Sequence, residues 1–576
     1  MSAKKKEEQV SQSNKDDAAS KNLGQMLLES SLITQQQLDY AHELQRTRGG
    51  KLSEILTEQR FVNADDLVAM LSIQMNLPYI DLKRHKIQPE ALKLIPEFMA
   101  RRYNIVPLDV VDEALVVVMA DPEDIQAIND IVAQTGIKVN PAIGIPNDIR
   151  DAIDLNYKAT DAISEEVKRL LPTVKGGEAR LIQIEDDSAA ETPAARTVSL
   201  LLSQAIRQRA SDLHFEPQED RLRIRYRIDG VLHDIASLPV DINPVLVSRV
   251  KILADMNIAE KRLPQDGQMS FSIDGREVDI RVATIETAYG EKMVLRVLDK
   301  SKAMLNLGDL GFTTERMEHY RKLLAVPYGL ILVAGPTGAG KTTTLYASVN
   351  ELDRLGRNIV TIEDPVEYLF NDINQTQVNV KAGLTFAAGL RAMLRLDPDV
   401  ILVGEMRDSD TAKTGAQAAM TGHLVLSSVH ANDAASALLR LINLGVEPFM
   451  VSTSVICVVS QRMVRRVCPH CSELVERPAE ERLAYERATG EPQGKFYYGA
   501  GCNFCADTGY LGRTGIFEIL TMSEEIRQMV VKQSNITEIR EKATEEGMAG
   551  MFKDGMLKVK EGVTTPSEVI SKIYAV

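Results

Sequence analysis

The chain has 576 residues, too many for one hydrophobic core, so we expect about three or four domains. Its 44% hydrophobic and 26% charged residues are ordinary for a soluble globular protein, and no stretch approaches the ~20 apolar residues that span a bilayer. The net charge of −14 and the lack of Trp argue against direct nucleic-acid binding, and the N-terminus lacks the apolar segment of a signal peptide, which predicts a cytoplasmic protein.

Residues 1–20 are polar and charged, which predicts disorder. A repeat with a period of 29 residues follows, in which Leu23-Gly-Gln-Met-Leu aligns with Leu52-Ser-Glu-Ile-Leu. Each copy predicts a helix, a turn and a second helix that is capped by Thr34 or Asn63. Two copies are too few for a solenoid, so the repeat indicates a small helical domain.

The rest of the N-terminal half divides by composition. Residues up to 155 mix helical and strand patterns, which extends the predicted N-terminal docking domain over residues 21–155. Residues 156–195 turn charged and small, as is typical of an interdomain linker. Over residues 196–304 a helical stretch precedes alternating strands, and the turns Asp229-Gly230 and Asp274-Gly275 favour hairpins. This pattern predicts an α+β domain with an antiparallel sheet.

The pattern becomes α/β over residues 305–576. Helices separate four buried strands, at 330–334, 359–362, 400–403 and 424–426. Such a pattern predicts a mostly parallel sheet that is covered on both faces, with its ligand at the carboxyl ends of the strands.

The first of these strands runs into Gly335-Pro-Thr-Gly-Ala-Gly-Lys341-Thr342, a complete GxxxxGK[ST] phosphate-binding loop. Its glycines let backbone N–H groups approach phosphate oxygens, Lys341 supplies charge to the β- and γ-phosphates, and the Thr342 hydroxyl is a ligand for Mg²⁺. The alternative, a chance glycine-rich turn, leaves the preceding strand and following helix unexplained. The predicted nucleotide contacts in this loop are Gly335, Thr337, Gly338, Gly340, Lys341, Thr342 and Thr343.

Polar residues also follow or flank the later strands. Glu363 and Glu405 each end a strand, and a carboxylate near Mg²⁺ and the γ-phosphate can orient a water and accept its proton. The alternative for each is a solvated strand end or a helix cap. His423 and His430 flank the fourth strand, and we count both among the predicted nucleotide contacts. Their alternative is a hydrogen-bonded structural role.

Two cysteine pairs lie further along, Cys468-Pro-His-Cys471 and Cys502-Asn-Phe-Cys505, with 30 residues between them. In a cytosolic chain they predict a four-thiolate zinc site within an insertion over residues 465–515. The alternative is a redox CxxC, but one redox centre does not need two matching pairs.

Eight segments together carry a resemblance to a known family: ASDLHFEP (210–217), RIRYRIDG (223–230), GPTGAGKTTTLY (335–346), TIEDPVEY (361–368), LRLDPDVILVGEMRD (394–408), TGHLVLSSVHANDA (421–434), QRMVRRVCPHC (461–471) and GCNFCADTGYLGRTGIFE (501–518). They resemble the secretion and type IV pilus assembly ATPases of the type II/IV secretion superfamily. The resemblance covers residues 197–576. It implies a RecA-like P-loop ATPase core preceded by a PAS-like α+β domain, in a hexamer that powers a membrane-embedded assembly platform.

The resemblance also assigns roles. It implies that the loop lysine and threonine bind phosphate and Mg²⁺, that Glu363 is the water-activating carboxylate, and that Glu405 is an atypical Walker B glutamate. The family supplies arginines from its second domain to the nucleotide, and Arg281 and Arg296 match them. The alternative for both arginines is cross-strand pairing with carboxylates. The tetracysteine site is typical of assembly and secretion members rather than retraction ATPases, which favours extension.

The N-terminal repeat resembles the domain that binds cyclic di-GMP in some pilus ATPases, in which each copy begins Arg-Leu-Gly. Here the copies begin Asn22-Leu-Gly and Lys51-Leu-Ser. Because both guanidinium groups are missing, we expect weak or no cyclic di-GMP binding and a surviving role in docking to an adaptor.

The sequence therefore predicts a hexameric cytoplasmic ATPase that uses ATP, Mg²⁺ and Zn²⁺ to assemble pilins or pseudopilins. Its expected partners are an inner-membrane platform protein and a cytoplasmic adaptor, so that it lies at the inner face of the cytoplasmic membrane. One alternative is a nucleotide-gated scaffold with negligible turnover, which the presence of Glu363 and Glu405 disfavours. The other is a nucleic-acid translocase, which the net charge disfavours.

Overall fold

The chain forms two compact units, residues 1–158 with 501–507 and residues 159–500 with 508–576. The computed structural model describes residues 23–48, 52–59, 61–75, 77–82, 85, 87–157, 160–175, 192–273, 275–298 and 305–574. The predicted disorder of residues 1–20 and the repeat positions Asn22 and Lys51 therefore lie outside the described residues.

Paired helices open the first unit. Residues 23–29 are helical, and they are followed by α1 (Gln35–Arg48), α2 (Leu52–Glu58) and α3 (Ala64–Met75). The side-chain oxygen of Thr34 accepts a hydrogen bond from the N–H of Gln37, and that of Asn63 accepts one from Asp66, so each residue caps the helix that follows it. Leu27 and Leu56 occupy equivalent places in the two copies and are fully buried.

A small mixed sheet completes this unit. The elements in chain order are α4 (Pro89–Leu92), α5 (Glu97–Tyr103), β1 (Ile105–Val111), β2 (Ala114–Met119), α6 (Ile125–Thr135), β3 (Lys138–Ile143) and α7 (Pro146–Asn156). Strand β2 pairs antiparallel with β1 and parallel with β3, and α6 makes the crossover that a parallel pair requires.

The predicted linker at 156–195 is wrong over part of its length. Residues Thr160–Lys175 form helix α8, whose apolar residues Ile163, Val167 and Leu170 recur at helical spacing. All three are buried in the core of the domain that follows. Burying such a side chain contributes about 1.5–3 kcal/mol, so three buried side chains stabilise this helix against the domain that follows. The charged composition that favoured a linker reflects the exposed side of the helix. Residues 176–191 lie outside the described part of the chain.

An α+β domain follows, as predicted. Its elements are α9 (Pro193–Arg207), β4 (Asp212–Pro217), β5 (Arg221–Ile228), β6 (Val231–Pro239), α10 (Asn243–Leu253), β7 (Gln265–Ile273), β8 (Arg276–Thr287) and β9 (Gly290–Leu298). The strands form an antiparallel sheet in the order β6-β5-β4-β9-β8-β7. The hairpin β5–β6 turns through Asp229 and Gly230, both with positive φ, which is why Gly is favoured there.

The two faces of this sheet differ in chemistry. Leu213 and Phe215 of β4 are buried in one core with residues of α8, α9 and α10. Asp212 and His214 alternate with them and therefore lie on the opposite face, which carries charged residues. This charged face supplies both arginines that the sequence assigned to the nucleotide.

The C-terminal domain is built on a seven-stranded sheet. Its strands are β10 (Gly329–Ala334), β11 (Ile359–Glu363), β12 (Asn374–Gln377), β13 (Val400–Val403), β14 (Leu424–Val429), β15 (Val455–Val467) and β18 (Tyr510–Thr521). Their order is β12-β11-β13-β14-β10-β15-β18, and all neighbours are parallel except β15 and β18. Apolar residues of β10 alternate between two separate cores, so the sheet is covered on both faces. The predicted α/β class is thus confirmed.

Helices cover this sheet, and a separate two-stranded sheet lies between β15 and β18 in the chain. The helices are α11 (Thr314–Leu324), α12 (Lys341–Glu351), α13 (Phe386–Met393), α14 (Ser409–Met420), α15 (Ala434–Asn443), α16 (Pro448–Ser454), α17 (Ala479–Thr489), α18 (Glu524–Val531), α19 (Ile536–Glu545), α20 (Met551–Lys560) and α21 (Pro566–Tyr574). The antiparallel strands β16 (Ser472–Glu476) and β17 (Lys495–Gly499) flank α17. None of the helices in the described residues combines the length and the apolar character that crossing a membrane requires.

Candidate functional site

The phosphate-binding loop lies at the carboxyl end of β10. Ala334, the last residue of β10, pairs with Val429, the last residue of β14, so these two strands end together beside the loop. Ala334 also pairs with Ser460 of β15, a strand that continues past the loop to Val467. Gly338 and Gly340 have φ of 78° and 85°, and α12 begins directly after Gly340. A loop without Cβ atoms at these positions, followed by a helix N-terminus, fits a phosphate group.

Lys341 lies folded over this loop. Its Nζ donates hydrogen bonds to the carbonyl oxygens of Gly335 at 2.9 Å and Pro336 at 3.3 Å, and it lies 3.3 Å from Nδ1 of His430. Burial lowers the pKa of Lys341, and the charge of Glu405 opposes that shift. The ammonium group is therefore held at the site by weak acceptors that phosphate oxygens can replace.

Glu405 follows β13 and is held on both carboxylate oxygens. Its Oε1 lies 2.9 Å from Nε2 of His430, and its Oε2 accepts a 2.7 Å hydrogen bond from Nε of Arg407. The structure thus joins Lys341, His430 and Glu405, three residues that the sequence predicted as parts of one site.

Glu363 ends β11 and is only 2% exposed. Its carboxylate accepts hydrogen bonds from the Thr361 hydroxyl at 2.6 Å, from Nε2 of Gln375 at 3.2 Å and from the Tyr346 hydroxyl. Burial, together with the Glu363 charge, raises the pKa of Tyr346, which keeps that hydroxyl as a donor. Three donors therefore fix the orientation of this carboxylate.

These groups surround one cavity of about 390 Å³. The predicted site residues that line it are Thr337, Gly338, Gly340, Lys341, Thr342, Thr343, Glu363, Glu405 and His430. The loop and its acidic rim have the donors and acceptors that a nucleotide triphosphate and Mg²⁺ need, so the residues present fit both.

His423 does not line this cavity, and its predicted nucleotide contact stays a prediction. It precedes Leu424, the first residue of β14, whereas the phosphate-binding loop lies beside Val429, the last. A strand of six residues spans roughly 17–20 Å, which separates His423 from the phosphates. Its Nδ1 lies 3.0 Å from the carbonyl oxygen of Ala418, which matches the structural role that was the alternative.

The two predicted arginines make other contacts in this structure. Arg296 pairs with Asp212 across the β4–β9 ladder, with Nε to Oδ1 at 3.0 Å, as the cross-strand alternative expected. Arg281 contacts the acidic segment after β11, with 3.0 Å to Glu367 Oε2 and 3.1 Å to the carbonyl oxygen of Val366. Their assignment to the nucleotide stays a prediction.

The four predicted zinc ligands come together. The sulfur atoms of Cys468, Cys471, Cys502 and Cys505 lie within 4.8 Å of one another, and those of Cys502 and Cys505 are 3.7 Å apart. Tetrahedral zinc with Zn–S bonds of about 2.3 Å places its sulfur ligands about 3.8 Å apart. The N–H of Cys502 also points to Sγ of Cys505 at 3.2 Å, a contact that favours a thiolate. The cluster fits zinc.

Several polar residues of the site were not predicted from the sequence. Arg407 lies two residues after Glu405, and its charge next to a predicted site residue could have identified it. Tyr346 and Gln375 hold Glu363, and Gln461 contacts the phosphate-binding loop from β15. Tyr346 and Gln461 lie in segments that carry the family resemblance, but nothing local assigns a role to them or to Gln375, because their contacts join distant elements.

Comparison with known proteins agrees with these observations. Residues 187–571, more than half of the chain, match the family model described as Type II/IV secretion system protein, and residues 75–163 match the MshEN domain. Type IV pilus assembly ATPase PilB of Myxococcus xanthus is 38% identical over 554 residues, which cover 95% of this chain and 98% of that protein. Type II secretion system protein E of Xanthomonas campestris pv. campestris is 37% identical over 562 residues, covering 96% and 98%. The chain belongs to the Type II/IV secretion system protein family.

Proposed function

We propose that this chain is an ATPase that powers the assembly of pilin or pseudopilin subunits. The observation that carries the proposal is the cavity in which Lys341, His430 and Glu405 meet at the phosphate-binding loop. Two relatives that match nearly the whole chain are named as a type IV pilus assembly ATPase and a type II secretion system protein. These names support pilins or pseudopilins as the subunits that the chain helps to assemble.

The site's own residues suggest how they act on ATP. The loop N–H groups and Lys341 bind the phosphates, and Lys341 exchanges its carbonyl acceptors for phosphate oxygens. Mg²⁺ would be held by the Thr342 hydroxyl and would neutralise phosphate charge. Glu363, oriented by its three donors, is the proposed water-activating carboxylate, and Glu405 occupies the Walker B position.

The proposed working form is a homohexamer, with Arg281 and Arg296 reaching a nucleotide once they leave their present carboxylate partners. The chain would work in the cytoplasm at the inner face of the membrane, with a platform protein and a cytoplasmic adaptor, and in the direction of extension. The N-terminal domain would dock the adaptor and bind cyclic di-GMP weakly or not at all. The cysteine cluster would hold one structural zinc ion.

Release of phosphate from Mg-ATP by the purified chain tests the proposal. Lys341→Ala should abolish turnover because a charge-assisted contact to the phosphates is lost. Lys381→Ala, at an exposed lysine, is the matched control. Nucleotide binding without any turnover in the parent would point instead to a scaffold, and stimulation of turnover by DNA would point to a translocase.

A further inference from the structure

We infer that Gln461 is a positioning residue of the phosphate-binding loop, which holds the Ala339–Gly340 peptide so that the Gly340 N–H faces the nucleotide cavity. This inference rests on the proposed function. It deepens that function by assigning a role to a residue of β15, a strand outside every phosphate-binding motif of the sequence.

Gln461 is almost completely buried, with 1% of its surface exposed. It follows Ser460, the residue that pairs with the last residue of β10, so its side chain lies at the start of the loop. Its Nε2 donates a 2.6 Å hydrogen bond to the carbonyl oxygen of Ala339. Its Oε1 accepts a 2.7 Å hydrogen bond from the Thr344 hydroxyl in the first turn of α12. One side chain therefore holds both the loop and the helix that follows it.

The chemistry of the partners fixes which way the amide points. The carbonyl oxygen of Ala339 can only accept, so the nitrogen of Gln461 must face it. The Thr344 hydroxyl can donate, which satisfies the remaining oxygen. The amide of Gln461 thus has one orientation in which both contacts are hydrogen bonds.

The anchored carbonyl determines where the next N–H points. In a trans peptide the C=O and the following N–H point in opposite directions. Because the oxygen of Ala339 is turned towards Gln461, the N–H of Gly340 is turned away from it. Gly340, Lys341 and Thr342 line the nucleotide cavity, where N–H groups bind phosphate oxygens.

The loop also packs directly on this residue. A Cβ added at Gly335 would lie 2.8 Å from the Gln461 carbonyl oxygen, and one added at Gly340 would lie 3.3 Å from its Nε2. The loop therefore packs against β15 without a gap. Loss of the hydrogen bond from Gln461 to Ala339 should alter the conformation of the loop itself.

The affinity for Mg-ADP, measured by calorimetry on the full chain, tests the inference. Gln461→Leu should weaken binding by about tenfold or more, because it leaves the Ala339 carbonyl unpaired and the peptide free to rotate. Thr344→Val keeps the glutamine but removes the group that orients it, so it should weaken binding less. Ser460→Ala, the neighbouring buried position whose hydroxyl faces the sulfur of Met551, is the control and should bind like the parent.

Gln461→Glu adds a readout that a purely structural role does not predict. An ionised carboxylate cannot donate to the Ala339 carbonyl, whereas a protonated one can. Relative to the parent at the same pH, this variant should bind about tenfold more weakly at pH 8 and recover most of that loss at pH 5.5. It keeps the size of the side chain, so it remains informative even if Gln461→Leu fails to fold.

The outcomes distinguish failure of the proposed function from failure of the role of Gln461. No nucleotide binding by the parent would overturn the proposed function and this inference with it. Binding by the parent together with unchanged affinity in folded Gln461→Leu, or a loss of affinity in Gln461→Glu that is equally large at both pH values, would overturn this inference alone.

Discussion

His430 connects the two opposite charges of the site. Its ring contacts Glu405 through Nε2 and Lys341 through Nδ1. A carboxylate only accepts and an ammonium only donates, so the neutral ring with hydrogen on Nε2 satisfies both. His430 therefore links the ammonium group of Lys341 to the carboxylate of Glu405 through one ring.

Glu405→Gln should separate nucleotide binding from turnover. The amide keeps the shape of the side chain but loses the charge, and loss of a general base or charge-organising carboxylate lowers rates by about 10²–10⁴-fold. We expect Mg-ADP affinity within about threefold of the parent, since Lys341 and the loop are intact. Phosphate release and calorimetry measure the two quantities, with the exposed Glu473→Gln as the control. Parent-like turnover would remove Glu405 from the proposed role.

His214 should make the stability of the chain depend on pH. Burial lowers the pKa of this imidazole in the folded α+β domain, and Glu216 opposes the shift. In the unfolded chain His214 takes up a proton near pH 6.5, before the folded state does, so stability falls as pH drops through that value. The thermal midpoint should decrease more between pH 8 and pH 6 in the parent than in His214→Gln. His85→Gln, at an exposed histidine, should keep the full pH effect of the parent.

At the scale of elements, short strands and loops support the tetracysteine cluster. The N–H of Cys468 donates to the carbonyl oxygen of Gly509 at 3.0 Å, and the N–H of Ala500 donates to that of Cys471 at 2.8 Å. Ala500 follows β17 and Gly509 precedes β18, so the segment with the second cysteine pair is tied at both ends to the first pair. Backbone hydrogen bonds thus bring the pairs together across the intervening residues.

We expect one zinc ion per purified chain, and much less than one in Cys471→Ser. Removal of one thiolate lowers affinity because tetrahedral structural sites need all four ligands. Elemental analysis measures the metal content, and a thermal melt measures the accompanying loss of stability. The control is Cys457→Ala, which removes a buried thiol outside the cluster. This variant should contain as much zinc as the parent. Full zinc content in Cys471→Ser would refute the four-ligand site.

At the scale of the whole molecule, the α+β domain contacts the ATPase domain within one compact unit. Arg281 meets Glu367 and the Val366 carbonyl, and the N–H of Gly512 donates to Asp229 at 3.0 Å. Both contacts join the α+β domain to the ATPase domain through polar groups. Release of Arg281 from Glu367 and Val366 is what its proposed role at a nucleotide requires.

Arg281→Ala and Arg296→Ala should lower turnover by at least about tenfold while leaving ADP affinity nearly unchanged. The reason is that guanidinium groups stabilise charge that grows on the transferring phosphoryl group in the transition state. Steady-state kinetics on the hexameric fraction, identified by light scattering, provide the measurement. Arg221→Ala, an exposed arginine of β5, serves as the control. A double variant with parent-like turnover would restrict both arginines to their pairs with Glu367 and Asp212.

The sequence by itself determined the phosphate-binding loop, the class of each large domain and the four cysteines that form one cluster. In each case the information is local or repeated. The loop is contiguous, buried strands read as short apolar runs, and the CxxC pairs are set by ligand spacing. The family followed from the same contiguous segments, and the full-length relatives confirm it.

Only the tertiary structure decided which residues line the cavity at the phosphate-binding loop and which do not. His423 and His430 flank the same strand and look alike in sequence, but the parallel register with β10 places only His430 beside the loop. The composition of helix α8 predicted a linker, but its apolar side chains are buried in the core of the α+β domain. Gln461 lies about 120 residues beyond the loop it holds. Strand register and long-range hydrogen bonds depend on the whole sheet, so no local pattern could supply them.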